Sequence, residues 1–123
     1  MAALLVVEDD PWSQHLVREV LEIGGHVVTA ADNVTEARVA LRGHRPDLVL
    51  LDIHLPGGGG ELLLREIRMT AALGDVPVIA LTASAMTGDR ERFLREGFTA
   101  YMSKPIDVRT FCSFVEGYLK GPA

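Results

Sequence analysis

The feature that most constrains this sequence is an apolar run ending in one acid, Leu48–Asp52 (LVLLD). Short unbroken apolar runs before turn signals are typical of strands buried on both faces of a parallel sheet. His54, Pro56 and four consecutive glycines follow the acid. Because ligands of open α/β sheets bind outside the carboxyl ends of the strands, we expect the chemistry to depend on Asp52.

Short apolar runs alternate along the whole chain with segments of helical periodicity. The apolar runs predict strands at Ala3–Val7, His26–Ala30, Asp47–Leu51, Val76–Leu81 and Ala100–Ser103. Start signals for the first two helices are Pro11 and the capping pair Asn33 and Glu36, and Gly24 and Gly25 end the first helix. Five such units predict a single-domain (βα)5 α/β fold over residues 1–123, with a doubly wound parallel sheet.

The remaining helical segments are less uniform. The loop Gly57–Gly60 should have little intrinsic order. The fourth helix, expected at about Met86–Glu96, has Phe93 and Leu94 as apolar anchors beside a charged run. In the last helix, apolar residues share one face: Phe111, Phe114, Val115, Tyr118 and Leu119.

Composition limits the class of protein. A chain of 123 residues with 48% hydrophobic content can form one core and is not disordered. No apolar run approaches the roughly 18 residues that span a bilayer. One cysteine cannot form an internal disulfide, and a net charge of −5 disfavours direct nucleic-acid binding. We therefore expect a cytoplasmic protein that binds neither nucleic acid nor membrane.

Polar residues follow the predicted strands at corresponding places: Glu8, Asp9, Asp52, Thr82 and Lys104. In a parallel sheet these strand ends lie at one edge. Three carboxylates brought together repel each other and need a cation or shifted pKa values. Because oxygen ligands with open positions suit Mg²⁺, the sequence predicts a magnesium site beside a lysine and a hydroxyl that could bind a phosphoryl group.

Four segments carry a family resemblance: Val6–Pro11 (VVEDDP), Leu51–Pro56 (LDIHLP), Leu81–Ala83 (LTA) and Ser103–Pro105 (SKP). Together they resemble the signatures of two-component response-regulator receiver domains, a CheY-like superfamily, over essentially the whole chain. The resemblance implies a flavodoxin-like strand order of 2-1-3-4-5. Within the family the chain is similar to single-domain regulators of the DivK type and to receivers of hybrid histidine kinases.

The resemblance also implies roles for the acidic residues. Asp52 would be the nucleophile that takes a phosphoryl group from phosphohistidine. Asp9 and Asp52 would bind Mg²⁺ through their side chains, Glu8 through water, and His54 through its backbone carbonyl. Acids at the ends of neighbouring strands thus become one metal and phosphoryl site.

The remaining implied roles concern the phosphoryl group and its signal. Lys104 would pair with the phosphoryl group, and Thr82 and the Ala83 amide would hydrogen-bond to it. Tyr101 would be the aromatic switch residue, although packing on the last helix would also explain a half-buried tyrosine there. The bond from Lys104 to Pro105 would be cis.

The implied function is a phosphorylation-dependent signalling switch rather than a conventional enzyme. A sensor histidine kinase or a histidine phosphotransfer protein would supply the phosphoryl group. Phosphorylation would alter the fourth helix, fifth strand and fifth helix, and a downstream protein would read that surface. We expect a monomer or a phosphorylation-dependent dimer.

Two alternatives use the same residues differently. A small Mg²⁺-dependent aspartyl-phosphate hydrolase of the haloacid dehalogenase type typically has a second acid two residues after its nucleophile, where this chain has His54. A pseudo-receiver would act as a docking module without being phosphorylated. A nucleotide-binding module is disfavoured because no Gly-x-Gly-x-x-Gly motif follows the first strand.

Residues outside these motifs receive simpler interpretations. Trp12 is expected to pack on its own domain, the alternative being an anchor for a partner protein. Cys112 is expected to be a small helix-packing residue. His15, His26 and His44 are interpreted as surface residues, because nothing pairs them at metal-ligand spacing in the sequence.

Overall fold

A computed structural model describes residues 2–56, 59–83 and 89–119, the side chains of residues 89 and 90 excepted. In these ranges five strands alternate with five helices. The strands are β1 (Ala3–Val7), β2 (Val27–Ala31), β3 (Leu48–Asp52), β4 (Val78–Thr82) and β5 (Ala100–Ser103). The helices are α1 (Pro11–Ile23), α2 (Val34–Gly43), α3 (Gly59–Met69), α4 (Asp89–Glu96) and α5 (Phe111–Leu119).

The strands form a parallel sheet in the order 2-1-3-4-5, so the predicted fold class and strand order are confirmed. Apolar side chains cover both faces. One core contains Val17 and Leu21 of α1 with Phe111 of α5, and the other contains Ile67 of α3 with Phe93 of α4. Burial on both faces explains why the central strands β1, β3 and β4 are almost entirely apolar rather than alternating.

Local signals explain how the first two helices begin. Asp10 caps α1 by accepting a hydrogen bond from the Ser13 amide at 3.1 Å. Asn33 caps α2 by accepting from the Glu36 amide at 2.8 Å, which confirms the predicted cap. The Glu36 carboxylate reaches back to the amide of Asp32, one residue before the position expected in a capping box.

Three strands differ from their predicted limits by one or two residues. The sheet starts at Val27 in β2, Leu48 in β3 and Val78 in β4. The amide of Val76 donates to the Leu73 carbonyl in a turn, so β4 cannot begin there. The differences at the other ends place Asp52 and Thr82 inside their strands, where sheet pairing fixes both backbones.

The glycine-rich segment is more ordered than expected. Gly59 and Gly60 are buried and form the first residues of α3, whereas Gly57 and Gly58 lie outside the described residues. An added Cβ on Gly60 would lie 2.7 Å from the Asp52 carbonyl oxygen and 2.8 Å from the Ile53 Cα. The start of α3 therefore packs directly against the backbone that carries Asp52.

One expectation about α4 is wrong, and another concerns residues that the structure does not describe. Leu94, predicted to anchor α4, is 39% exposed, so Phe93 carries the packing of this short helix. The predicted start of the helix, at residues 86–88, lies outside the described residues. In the described part of the chain no helix is long and apolar enough to cross a membrane.

The close approach of α3 predicts that Gly60→Ala destabilises the protein. The new methyl group would meet backbone atoms that cannot rotate away, and overpacking of this kind costs about 1–3 kcal/mol. Gly43→Ala is the matched control, because no atom lies within 4 Å of an added Cβ there. Urea unfolding followed by circular dichroism measures both, and equal stability of the two variants would contradict the prediction.

Candidate functional site

The polar residues of the strand ends meet at the carboxyl edge of the sheet. Asp52 ends β3 and is 3% exposed, and Thr82 ends β4 and is fully buried. Glu8 directly follows β1 and is also fully buried, and Lys104 directly follows β5. Adjacent strands thus bring together acids, a hydroxyl and an ammonium group from four separate parts of the chain.

Lys104 joins the two buried acids. Its Nζ lies 3.2 Å from Asp52 Oδ2 and forms an ion pair with Glu8 Oε1. The lysine directly follows β5, and the peptide bond that joins it to Pro105 is cis, as predicted. One ammonium group therefore faces two carboxylates in a largely buried setting.

Backbone amides orient the same carboxylates. The His54 amide donates to Asp52 Oδ1 at 2.9 Å, and the Asp10 amide donates to Glu8 Oε2 at 3.2 Å. With one oxygen of each acid bound to an amide, the other oxygen faces Lys104. The carboxylates are held in position before any ligand binds.

The environment moves the pKa values of the two acids in opposite directions. Burial raises the pKa of Glu8 to about 7, and a hydrogen bond with Asp52 adds to this effect while Lys104 opposes it. Burial also acts to raise the pKa of Asp52, but hydrogen bonds from Glu8 and the His54 amide, with the charge of Lys104, lower it overall. Asp52 is therefore the charged member of the pair.

The acids fit a divalent cation. Carboxylate oxygens of Glu8, Asp9 and Asp52 all lie within 4.8 Å of one another, and Asp9 is exposed to solvent. Three carboxylates and one ammonium group leave two negative charges, which a divalent cation would neutralise. An all-oxygen set with one ligand open to water is the chemistry that Mg²⁺ prefers.

His54 has a contact that the sequence analysis did not predict. Its Nε2 lies 3.4 Å from the Thr82 hydroxyl, whereas the metal-binding role that the resemblance implies belongs to its backbone carbonyl. The sequence feature that could have indicated this contact is the position of His54, two residues after Asp52. At that position the histidine ring extends from the end of β3 toward the end of β4. Ala83 follows Thr82 and is exposed at the same edge.

Tyr101 lies in β5 and packs on α4. Its ring is 5.7 Å from the ring of Phe93, between centroids, with an interplanar angle of 50°. The ring belongs to the core under α3 and α4, so the alternative in which it packs on the last helix is wrong. A tyrosine that is partly buried against α4 links the site edge to that helix.

Trp12 does not pack into the domain. Its side chain is 71% exposed, so the interpretation of Trp12 as a packing residue is wrong. It lines a surface groove with Ala83, Lys104 and Ile106, next to the carboxylate cluster. Pro11 and the Asp10 cap fix the first turn of α1, which leaves this indole projecting beside the site.

A parallel sheet of order 2-1-3-4-5 with acids at the ends of β1 and β3 and a lysine after β5 defines a class of signalling domain. The response regulator receiver domain family matches residues 4–116. The chain belongs to this family, which confirms the resemblance, and is the receiver domain of a two-component response regulator.

Named relatives agree with this assignment. The chain is 39% identical over 117 residues to the polar-differentiation response regulator DivK of Brucella anthropi, with 95% of each chain covered. It is similar to the solved receiver domain of a signal transduction histidine kinase from Syntrophus aciditrophicus (30% identity, TM-score 0.85, 97% and 90% covered). The chemotaxis response regulator CheY4 of Vibrio cholerae shares the fold (23% identity, TM-score 0.88, 96% and 98% covered).

The raised pKa of Glu8 predicts that Mg²⁺ binds more weakly at low pH. The pKa of Glu8 is about 7, so at lower pH its carboxyl group holds a proton that the cation must displace. The affinity for Mg²⁺ should therefore rise with pH. Between pH 6 and pH 8 we expect a change of about tenfold, which corresponds to one displaced proton. Calorimetric titration of the metal-free protein measures it.

Glu8→Gln is the control for this measurement, because it removes the titrating carboxyl group and keeps its shape. The variant should bind Mg²⁺ with little dependence on pH over the same interval. An equal pH dependence in the variant would assign the effect to another group.

Proposed function

We propose that this receiver domain is a phosphorylation-dependent switch in which Asp52 accepts a phosphoryl group. The observation that carries the proposal is the contact of Lys104 with Asp52 and Glu8, beside a third carboxylate from Asp9. Phosphoryl transfer asks a protein mainly for positioning and neutralisation of charge. Both are properties of this cluster.

Asp52 is suited to act as the nucleophile. Its lowered pKa keeps it charged, and the His54 amide and Lys104 hold its two oxygens in fixed directions. When bound by Glu8, Asp9 and Asp52, Mg²⁺ would neutralise negative charge on the incoming phosphoryl group. Lys104 would move from two carboxylates to the new phosphoryl oxygens, and the Thr82 hydroxyl and Ala83 amide would donate hydrogen bonds to them.

The product would carry its signal through Thr82 and Tyr101. A phosphoryl group adds about −1.5 to −2 charge next to the buried end of β4. Movement of Thr82 toward it would alter its contact with His54 and open space near β5. Because the Tyr101 ring packs on Phe93, a change in that ring would alter α4 and, with it, the surface formed by α4, β5 and α5.

The partners that fit this chemistry are proteins. A sensor histidine kinase or a histidine phosphotransfer protein would donate the phosphoryl group, and a downstream protein would recognise the altered surface. The domain would assist its own phosphorylation and dephosphorylation without acting on a separate substrate. The negative net charge is consistent with protein rather than nucleic-acid partners, and we expect the domain to act in the cytoplasm.

The proposal predicts that Asp52→Asn abolishes phosphorylation. Incubation of the wild-type protein with acetyl phosphate and Mg²⁺ should add about 80 Da, the mass of one phosphoryl group, as measured by intact-protein mass spectrometry. Asp75→Asn is the matched control, because Asp75 is a surface carboxylate with 92% side-chain exposure. This control should be labelled like the wild type.

Other results would favour the alternatives. Repeated turnover of a phosphate ester by the wild type would indicate a hydrolase. A folded wild type that binds Mg²⁺ but gains no mass would indicate a docking module that is not phosphorylated. Labelling of Asp52→Asn would assign the phosphoryl group to another residue.

A second prediction separates the roles of lysine and metal ligands. Lys104→Met keeps the length of the side chain and removes its charge, so the rate of labelling should fall about 100-fold. Mg²⁺ affinity should not fall, because the ammonium group competes with the cation for Glu8 and Asp52. Arg45→Met removes an exposed charge remote from the site and should change neither quantity.

A further inference from the structure

A second cluster of metal-binding side chains lies away from the carboxylate site. His26 directly precedes β2, at the edge of the sheet opposite to Asp52, and Cys112 and Glu116 lie one turn apart on α5. One ligand atom from each of the three residues lies within 4.8 Å of the other two. The interpretation of His26 as a surface residue is wrong, because its side chain is 7% exposed and belongs to this cluster.

The cluster is partly enclosed. The side chain of His26 is 7% exposed, and its Nε2 lies 2.8 Å from Glu116 Oε2. An added Cβ on Gly24 would lie 2.5 Å from the Cys112 sulfur. Gly24 has a φ of −73°, which any residue can adopt, so the backbone conformation does not require glycine at this position. The absence of a side chain instead leaves room for the Cys112 thiol.

We propose that His26, Cys112 and Glu116 bind a thiophilic divalent transition metal, best matched by Zn²⁺, with water in the fourth position. Imidazole nitrogen, thiolate sulfur and carboxylate oxygen are all ligands of zinc. A sulfur ligand disfavours Mg²⁺ and Ca²⁺, which take oxygen. The site therefore differs in chemistry from the all-oxygen cluster around Asp52.

Charge and geometry both support this assignment. One thiolate and one carboxylate balance the charge of Zn²⁺, so the partly buried site becomes neutral. Ligands of tetrahedral zinc lie about 3.4–3.6 Å apart, given metal–ligand bonds of about 2.0–2.3 Å. The contact between His26 and Glu116 would open by less than about 1 Å, and because no pair is more than 4.8 Å apart, no pair would need to close by more than roughly 1.3 Å.

Metal binding would rearrange protons in a defined way. Burial raises the pKa of the Cys112 thiol, and the nearby charge of Glu116 adds to this, so the thiol proton is present at neutral pH and would leave to solvent. Coordination through Nε2 would place the ring hydrogen of His26 on Nδ1, the atom that accepts a hydrogen bond from the Ala2 amide at 3.2 Å in this structure. That amide would turn away, and about one proton would be released for each metal ion bound.

Titration of the full chain with Co²⁺, a spectroscopic substitute for Zn²⁺, tests the proposal. Excess Mg²⁺ occupies the carboxylate cluster throughout, under reducing conditions. The wild type should bind one equivalent of Co²⁺ with a thiolate-to-cobalt charge-transfer absorption, and Zn²⁺ should displace it. Cys112→Ser should lose this absorption and bind Zn²⁺ at least about 100-fold more weakly. Substitution of a residue that only contacts a metal ligand typically costs about 10- to 100-fold, so a loss of this size indicates a direct ligand.

Two controls make the result specific. His15 and Glu19 form another histidine–glutamate pair, 3.1 Å apart but exposed and without a thiol, so His15→Gln should bind Co²⁺ like the wild type. Asp52→Asn should also keep the charge-transfer absorption, so failure of the phosphoryl site and failure of this site are distinguishable. Glu116→Gln should weaken Zn²⁺ binding about tenfold or more.

The proposal would be overturned by either of two outcomes. A folded wild type without charge-transfer absorption would show that the three residues only join α5 to the turn before β2. Equal Zn²⁺ affinity of the wild type and Cys112→Ser would lead to the same conclusion. Thermal unfolding of each metal-free variant, followed by circular dichroism, establishes that the compared proteins are folded.

Discussion

The site depends on one ammonium group shared among closely spaced carboxylates. Lys104 contacts Asp52 and Glu8 where neither acid is well hydrated, and Asp9 adds a third charge nearby. This imbalance leaves the site two alternatives, a proton on Glu8 when no metal is bound or a bound cation. The same imbalance makes the arrangement responsive, because a phosphoryl group on Asp52 would change the partner of the lysine.

The sheet and α3 keep that imbalance in place. Repulsion between acids would separate side chains on mobile loops, but Asp52 and Thr82 are the last paired residues of β3 and β4. Gly60 packs against the backbone of Asp52 and Ile53 and blocks movement from the other side. The rigid backbone therefore opposes electrostatic repulsion, and the adaptable parts are the side chains of Lys104 and His54.

Sequence reasoning predicted what depends on local pattern and shared motifs. Alternating strands and helices gave the architecture, and acids after the strands gave the carboxylate cluster. It did not predict that Gly59 and Gly60 would begin a helix, because glycine has weak local preference and packing decides its conformation there. It also misplaced Trp12, since an aromatic residue in a first helical turn gives no indication of which way it faces.

The cluster of His26, Cys112 and Glu116 marks a further limit of sequence reasoning. Its histidine and glutamate are 90 positions apart and meet only because α5 packs near the turn before β2. No spacing rule connects them, whereas each acid of the phosphoryl site is marked by its own strand. If both sites bind metal, sulfur and oxygen ligands would sort the ions, since Zn²⁺ gains from the thiolate and Mg²⁺ does not. The sheet would then have Mg²⁺ at the phosphoryl site on one edge and Zn²⁺ on the opposite edge, where it would join α5 to the turn before β2.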